Sequence, residues 1–256
     1  MADSIKKTKK QYESGHAKNL ESFGKLIAAS ETFDQAKLDP PAELAIAALN
    51  QTRSTGADLL QAVGNLRADW RTVALDRAVE VDSFESVASQ AVGQLAGRGA
   101  DKETVKDARG YVRKLQGKSL TIKKTGDPNA PDVDESEQGI SKSQQSSAAK
   151  LAVFNELIDF LEAQAEYAQV KQSGLTVVDL RSLAASAQAK HDSSIAAAVS
   201  LASKRGERNE FFYLAPKTNM IDRALQFKEL VKGAFGGAGS VEYKLVKPIA
   251  FKRPKL

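Results

Sequence analysis

Residues 49–73, LNQTRSTGADLLQAVGNLRADWRTV, place Leu49, Thr52, Gly56, Leu59, Val63, Leu66, Trp70 and Val73 in alternating steps of three and four. That spacing is the period of one face of an α-helix, and no run of alternating apolar and polar residues competes with it. It predicts one long helix with Trp70 in the core. Upstream, Asp39-Pro40-Pro41 offers a capping side chain and prolines suited to a first turn. A second stripe, Leu180, Leu183, Ala187, Ser194, Ala198 and Leu201, keeps a similar spacing with smaller side chains, which lets neighbouring helices approach closely.

A shorter helix is expected before each long one. Phe23, Ile27 and Ser30 mark the first, and Leu151, Phe154, Ile158, Leu161 and Ala165 the second. A further short helix is expected after each, carrying Phe84, Val87 and Ala91 in one case and Ile221, Leu225 and Val231 in the other. Glycines, 97 and 99 or 236 and 237, then stop it.

The order of these parts repeats. Phe23 and Leu26 answer to Phe154 and Leu157, the stretch from Glu43-Leu44 to Ala48 resembles that from Asp179-Leu180 to Ala184, and Trp70 with Leu75 parallels Phe212 with Leu214. Gly97-Arg98-Gly99-Ala100 parallels Gly236-Gly237-Ala238-Gly239, and the endings 114–124 and 244–253 share a lysine-flanked apolar pattern. Such ordered self-similarity indicates an internal duplication. Within the endings, Leu120 with Ile122 and Ile249 with Phe251 alternate with period two, as brief extended segments would.

The expected organisation is therefore a polar basic leader (1–18), a first helical unit (19–124), a flexible acidic linker (125–149) and a second helical unit with a basic tail (150–256). The linker boundary rests on Gly126, Pro128 and Pro131 and on Asp132, Asp134, Glu135 and Glu137, a composition unable to bury enough apolar surface to order itself. The fold class is all-α: two duplicated helical-hairpin units in an elongated pseudo-two-fold helical bundle, with a short extended segment ending each unit.

Composition narrows the functions. Of 256 residues 42% are hydrophobic and 27% charged, which suits a globular chain, while aromatic residues at 6% favour helices over strands. With no cysteine, disulfides, thiolate metal sites and cysteine nucleophiles drop out. No signal peptide or membrane-spanning run is legible, so the expected location is cytoplasmic.

Each catalytic constellation is incomplete. Glu13-Ser14-Gly15-His16 has the Glu-x-x-His spacing of a di-iron helix, but the other histidine, His191, has no glutamate three residues before it, so a solvated pair is the plainer reading. The glycine-rich run from Gly233 to Ser240 lacks the Gly-Lys-Ser/Thr ending of a phosphate loop and reads as a helix stop. His191-Asp192-Ser193-Ser194 places a base, an acid and hydroxyls on adjacent helical positions, which point in different directions. Glu156, Asp159, Glu162 and Glu166 read as a solvated face. No catalytic, metal or cofactor site is assigned, and no enzyme activity is expected.

One electrostatic feature has a plausible target. Net charge is +5, and Lys244, Lys247, Lys252, Arg253 and Lys255 cluster at the C-terminus, with Lys6, Lys7, Lys9 and Lys10 near the N-terminus. These C-terminal cations are the candidate interaction surface. The favoured function is a non-enzymatic structural or interaction protein whose partner is a protein, itself or another. The alternative is a nucleic-acid-associated protein using both basic tails. Neither a membrane nor a small-molecule ligand is inferred.

The C-terminal string from Phe235-Gly236 through Ser240-Val241-Glu242-Tyr243-Lys244 to Ile249-Ala250-Phe251 resembles the ending of a group of uncharacterised helical proteins of environmental and gut bacteria. The resemblance spans only this segment. It implies a bacterial source and no particular activity.

Overall fold

The computed structural model describes residues 14–117 and 146–253, and these residues contain no strand: the protein is all-α. In order, the helices are α1 (Ser14–Ser30), α2 (Gln35–Leu38), α3 (Ile46–Gly97), α4 (Lys102–Leu115), α5 (Ser147–Glu162), α6 (Val177–Asn209), α7 (Met220–Ala234) and α8 (Val241–Val246). Single 3₁₀ turns at Ala42–Leu44 and Tyr167–Gln169 precede the two long helices, and a π turn at Glu210–Leu214 continues α6.

Local chemistry accounts for the boundaries. The Asp101 carboxylate accepts from the backbone N–H groups of Glu103 and Thr104, both at 2.9 Å, and opens α4. Asn219 caps α7 through the N–H of Asp222 at 2.8 Å, and Ser240 caps α8 through that of Tyr243 at 3.2 Å. Each such cap is worth about 1 kcal/mol. At the other end of α7 the left-handed Gly236 and Gly237, φ 85° and 102°, turn the chain so that the Gly237 N–H donates to the Lys232 carbonyl at 2.8 Å. This is the helix stop expected from the glycine-rich run.

Helix α3 is longer than expected. Its 52 residues contain no proline, and isolated glycines each cost only about 1 kcal/mol, so nothing breaks the helix before Gly97. Phe84, Val87 and Ala91 therefore belong to α3 itself, and the short helix that follows is α4.

The chain divides into two compact units, residues 1–68 with 199–256 and residues 69–198. This division cuts across the expected 19–124 and 150–256. Each compact unit takes the opening helix and the first part of a long helix from one half of the sequence, and the end of the other long helix with its following helix from the other half. Residues 125–145 of the expected linker lie outside the described residues, while 147–149 already belong to α5, opened by the Ser146 hydroxyl accepting from the Ala149 N–H at 3.2 Å.

In the first unit, Phe23, Leu26 and Ile27 of α1, Leu49 of α3, Phe212 of the π turn, Phe227 and Val231 of α7 and Val246 of α8 form one core. Thr52, 4% exposed, accepts from the Arg223 guanidinium at 2.8 Å while donating to the Ala48 carbonyl at 2.8 Å, so this buried hydroxyl is satisfied.

In the second unit, α4 packs along α5, and Phe84 stacks on Phe154 with ring centroids 4.2 Å apart and planes 4° from parallel, both rings fully buried. Tyr167 is buried and donates to the Leu175 carbonyl at 2.6 Å. Lys150 reaches Glu85 at 3.1 Å and Asp82 at 3.6 Å.

Two sets of buried residues share their spacing: Phe23, Leu26, Leu44 and Leu49 stand at the same mutual intervals as Phe154, Leu157, Leu175 and Leu180. This register aligns Leu49, rather than Leu44, with Leu180. Trp70 departs from expectation, being only half-buried, and no residue of α3 between Val63 and Val81 is buried. The stripe continues in sequence where the core does not.

Candidate interaction surface

Upstream of Ile249 and Phe251, the pair read from the sequence as a brief extended run, the segment that carries Lys244 folds as the short helix α8. Ser240 caps it and Glu242 lies in its first turn, both favourable at a helix N-terminus. Helix α8 buries Val246 completely against the first unit and holds Tyr243 half-buried beneath the Lys232 ammonium, 5.9 Å from the ring centroid. Its other face carries Val241, 70% exposed, and Leu245, 52% exposed, one turn apart, with Lys244 exposed beside them.

Beyond α8 the described residues form no strand, yet they are held at four points. The Lys228 ammonium donates to the carbonyls of Lys247, at 3.3 Å, and Ile249. Phe251 meets Phe23 edge-on at 6.5 Å. The buried Asn19 amide bonds both backbone groups of Lys252, and the Arg253 guanidinium pairs with Asp222. Burial pushes the Lys228 ammonium below the ordinary lysine pKa.

These contacts sort the candidate cations. Lys244, Lys247 and Lys252 present exposed side chains, and Arg253, also exposed, is engaged by Asp222. Lys255, Lys6, Lys7, Lys9 and Lys10 lie outside the described residues, as do Leu120 and Ile122. Sequence reasoning missed Val241 and Leu245 as exposed apolar neighbours of the lysines. Their i, i+4 spacing after a serine cap was the available signal.

The catalytic candidates have structural settings. Glu13 lies outside the described residues. His16, 9% exposed, bonds Asn209 at 3.1 Å and packs edge-on to Phe212 at 5.1 Å, so it is a core histidine where a solvated one was expected. Asp192 accepts from Gln188 at 2.8 Å and Ser193 donates to the Ala189 carbonyl at 2.8 Å, while Ser194 is buried. Asp159 and Glu162 both engage Arg181, Asp159 at 2.8 Å. Among the described residues no three His, Asp or Glu side chains converge as metal ligands would.

Fold and surface together define an all-α protein of two compact units, one of which displays a basic and apolar α8 face. No helix among the described residues is long and apolar enough to cross a membrane. Compared with known proteins, the chain matches no family model, no curated protein and no solved structure.

Proposed function

We propose that this is a non-enzymatic interaction protein, a helical scaffold that presents the α8 face to a protein partner in a bacterial cytoplasm. The observation that carries this reading is the pairing of Val241 and Leu245, 70% and 52% exposed, with Lys244 on a helix anchored from behind by Val246 and with Lys247 at its C-terminal end. Protein interfaces combine an apolar centre with a polar rim. A helix held in place before binding also loses little conformational freedom on association. The matched spacings of Phe23, Leu26, Leu44 and Leu49 with Phe154, Leu157, Leu175 and Leu180 support an internal duplication with pseudo-two-fold organisation beneath this surface.

The exposed Lys244, Lys247 and Lys252 favour a second reading, contact with the phosphates of a nucleic acid. That reading gives Val241 and Leu245 no role. A photo-crosslinking amino acid at position 245, activated in cells of the source organism, separates the two. The first reading expects a discrete protein adduct that survives nuclease and disappears with Val241→Asp. Adducts that nuclease removes, with binding lost only on Lys244→Glu and Lys247→Glu, would establish the second in its place.

A further inference from the structure

Helix α4 carries a charge pattern independent of the C-terminal cluster. Lys102, Lys106, Arg109 and Arg113, all exposed, recur in steps of four, three and four. At about 100° per residue these four side chains fall within about 60° of arc and make a row about 16 Å long. The core stripe of the same helix is Val105, Ala108, Val112 and Leu115. The row borders that stripe on the side of Arg109 and Val112, where α4 faces the C-terminal part of α3.

Between the two helices lies an open groove of about 220 Å³ lined by Ser89, Val92 and Gly93 of α3 and by Arg109 and Val112 of α4. Its floor is apolar, since Val92 and Val112 are buried, and a side-chain carbon at Gly93 would meet nothing within 4 Å. The groove is smaller than the roughly 300–1,000 Å³ of small-molecule pockets but has room for an apolar side chain. The α3 wall is neutral: from Ser86 to Gly97 there is no charged residue. The α4 wall supplies the basic row, with the Lys106 ammonium 2.8 Å from Glu103 on the solvent side.

We propose that this groove receives an acidic amphipathic segment of a protein partner, one apolar side chain seated over Val92 and Val112 and its carboxylates along Lys102, Lys106, Arg109 and Arg113. Charge complementarity selects an acidic occupant. The valine floor selects a peptide over a phosphate backbone: none of the described lining residues is aromatic, so a base has nothing to stack on among them, whereas an apolar side chain at i with acidic neighbours fills floor and rim together.

The test is fluorescence anisotropy of the full chain with a labelled glutamate-rich peptide bearing leucine at i and i+4, beside a leucine-free polyglutamate and a duplex oligonucleotide. Gly93→Leu fills the groove without changing charge, and Arg109→Glu with Arg113→Glu reverses the rim. Each is expected to weaken leucine-peptide binding at least about tenfold, the reversal also flattening its salt dependence. Lys244→Glu with Lys247→Glu should leave it unchanged, which keeps this proposal separable from the α8 reading. Ser89→Leu replaces Gly93→Leu if the latter lowers the melting temperature. Absence of leucine-peptide binding, equal binding of polyglutamate, or duplex binding indifferent to the filled groove would overturn the proposal.

Discussion

The side-chain amide of Asn19 closes on the backbone of Lys252 from both sides, accepting from its N–H at 2.9 Å and donating to its carbonyl at 2.8 Å. One asparagine thus supplies the hydrogen bonds that a neighbouring strand would give, and the tail is held on α1 without a sheet. Asn19→Asp preserves the shape but turns the donor into a carboxylate oxygen facing a carbonyl. An unmet buried group of this kind costs about 1–3 kcal/mol. Amide exchange in 249–253 should accelerate while that of α1 and α7 holds. Unchanged exchange at Lys252 would show that the tail does not depend on this clamp.

The Phe84–Phe154 stack ties α3 to α5 through two fully buried rings. Phe154→Ala should cost about 3–5 kcal/mol, measured by chemical denaturation, because it removes apolar area and leaves a cavity. Pairing it with Phe84→Ala should cost less than the two single changes added together, since both delete the same contact. Strict additivity would argue against the stack.

Two glycines of α3 should respond in opposite ways. A side-chain carbon at Gly56 would lie 3.1 Å from Leu20 and 3.3 Å from Phe211, whereas at Gly64 it would meet nothing within 4 Å. Gly64→Ala should therefore stabilise the protein by about 0.5–1 kcal/mol through helix propensity. Gly56→Val should destabilise it by about 1–3 kcal/mol through overpacking. Thermal melts of the two variants shifting in the same direction would contradict the close approach at Gly56.

Burial pushes the Tyr167 hydroxyl from its ordinary pKa of 10.0 up to about 12. The folded protein then keeps a proton that the unfolded chain releases, so this contribution to stability is complete below pH 10.0 and is lost as pH rises to about 12. Tyr167→Phe should flatten the pH dependence of stability in that window. At neutral pH it should cost about 1 kcal/mol, since the Leu175 carbonyl loses its donor. A Tyr167 that ionises near pH 10.0 in the folded state, followed by ultraviolet difference titration, would refute the assignment.

Trp70 is half-buried and belongs to neither core. Its fluorescence maximum should lie between those of a buried and a fully hydrated indole, and Trp70→Ala should cost less than the 3–5 kcal/mol or so expected of a core tryptophan. A maximum at the blue extreme would place it in a core after all.

Sequence alone determined the helical class. Apolar residues three and four apart, in a chain with few aromatics, act within a few residues of themselves, so their consequences can be read locally. The burial of Phe23, Leu26, Phe154 and Leu157 was legible for the same reason. Whether a stripe finds a partner was decided only by tertiary structure. Trp70 continues the pattern of Leu49 and Val63 but lies on a part of α3 that no core reaches. His16 looked solvated in a lysine-rich stretch until Asn209 and Phe212, distant in sequence, enclosed it. The candidate surfaces follow the same rule. Lysines 244, 247 and 252 were visible as charges, but the pairing of Arg253 with Asp222 and the groove beneath Arg109 arise from contacts between separate segments of the chain, which no local periodicity records.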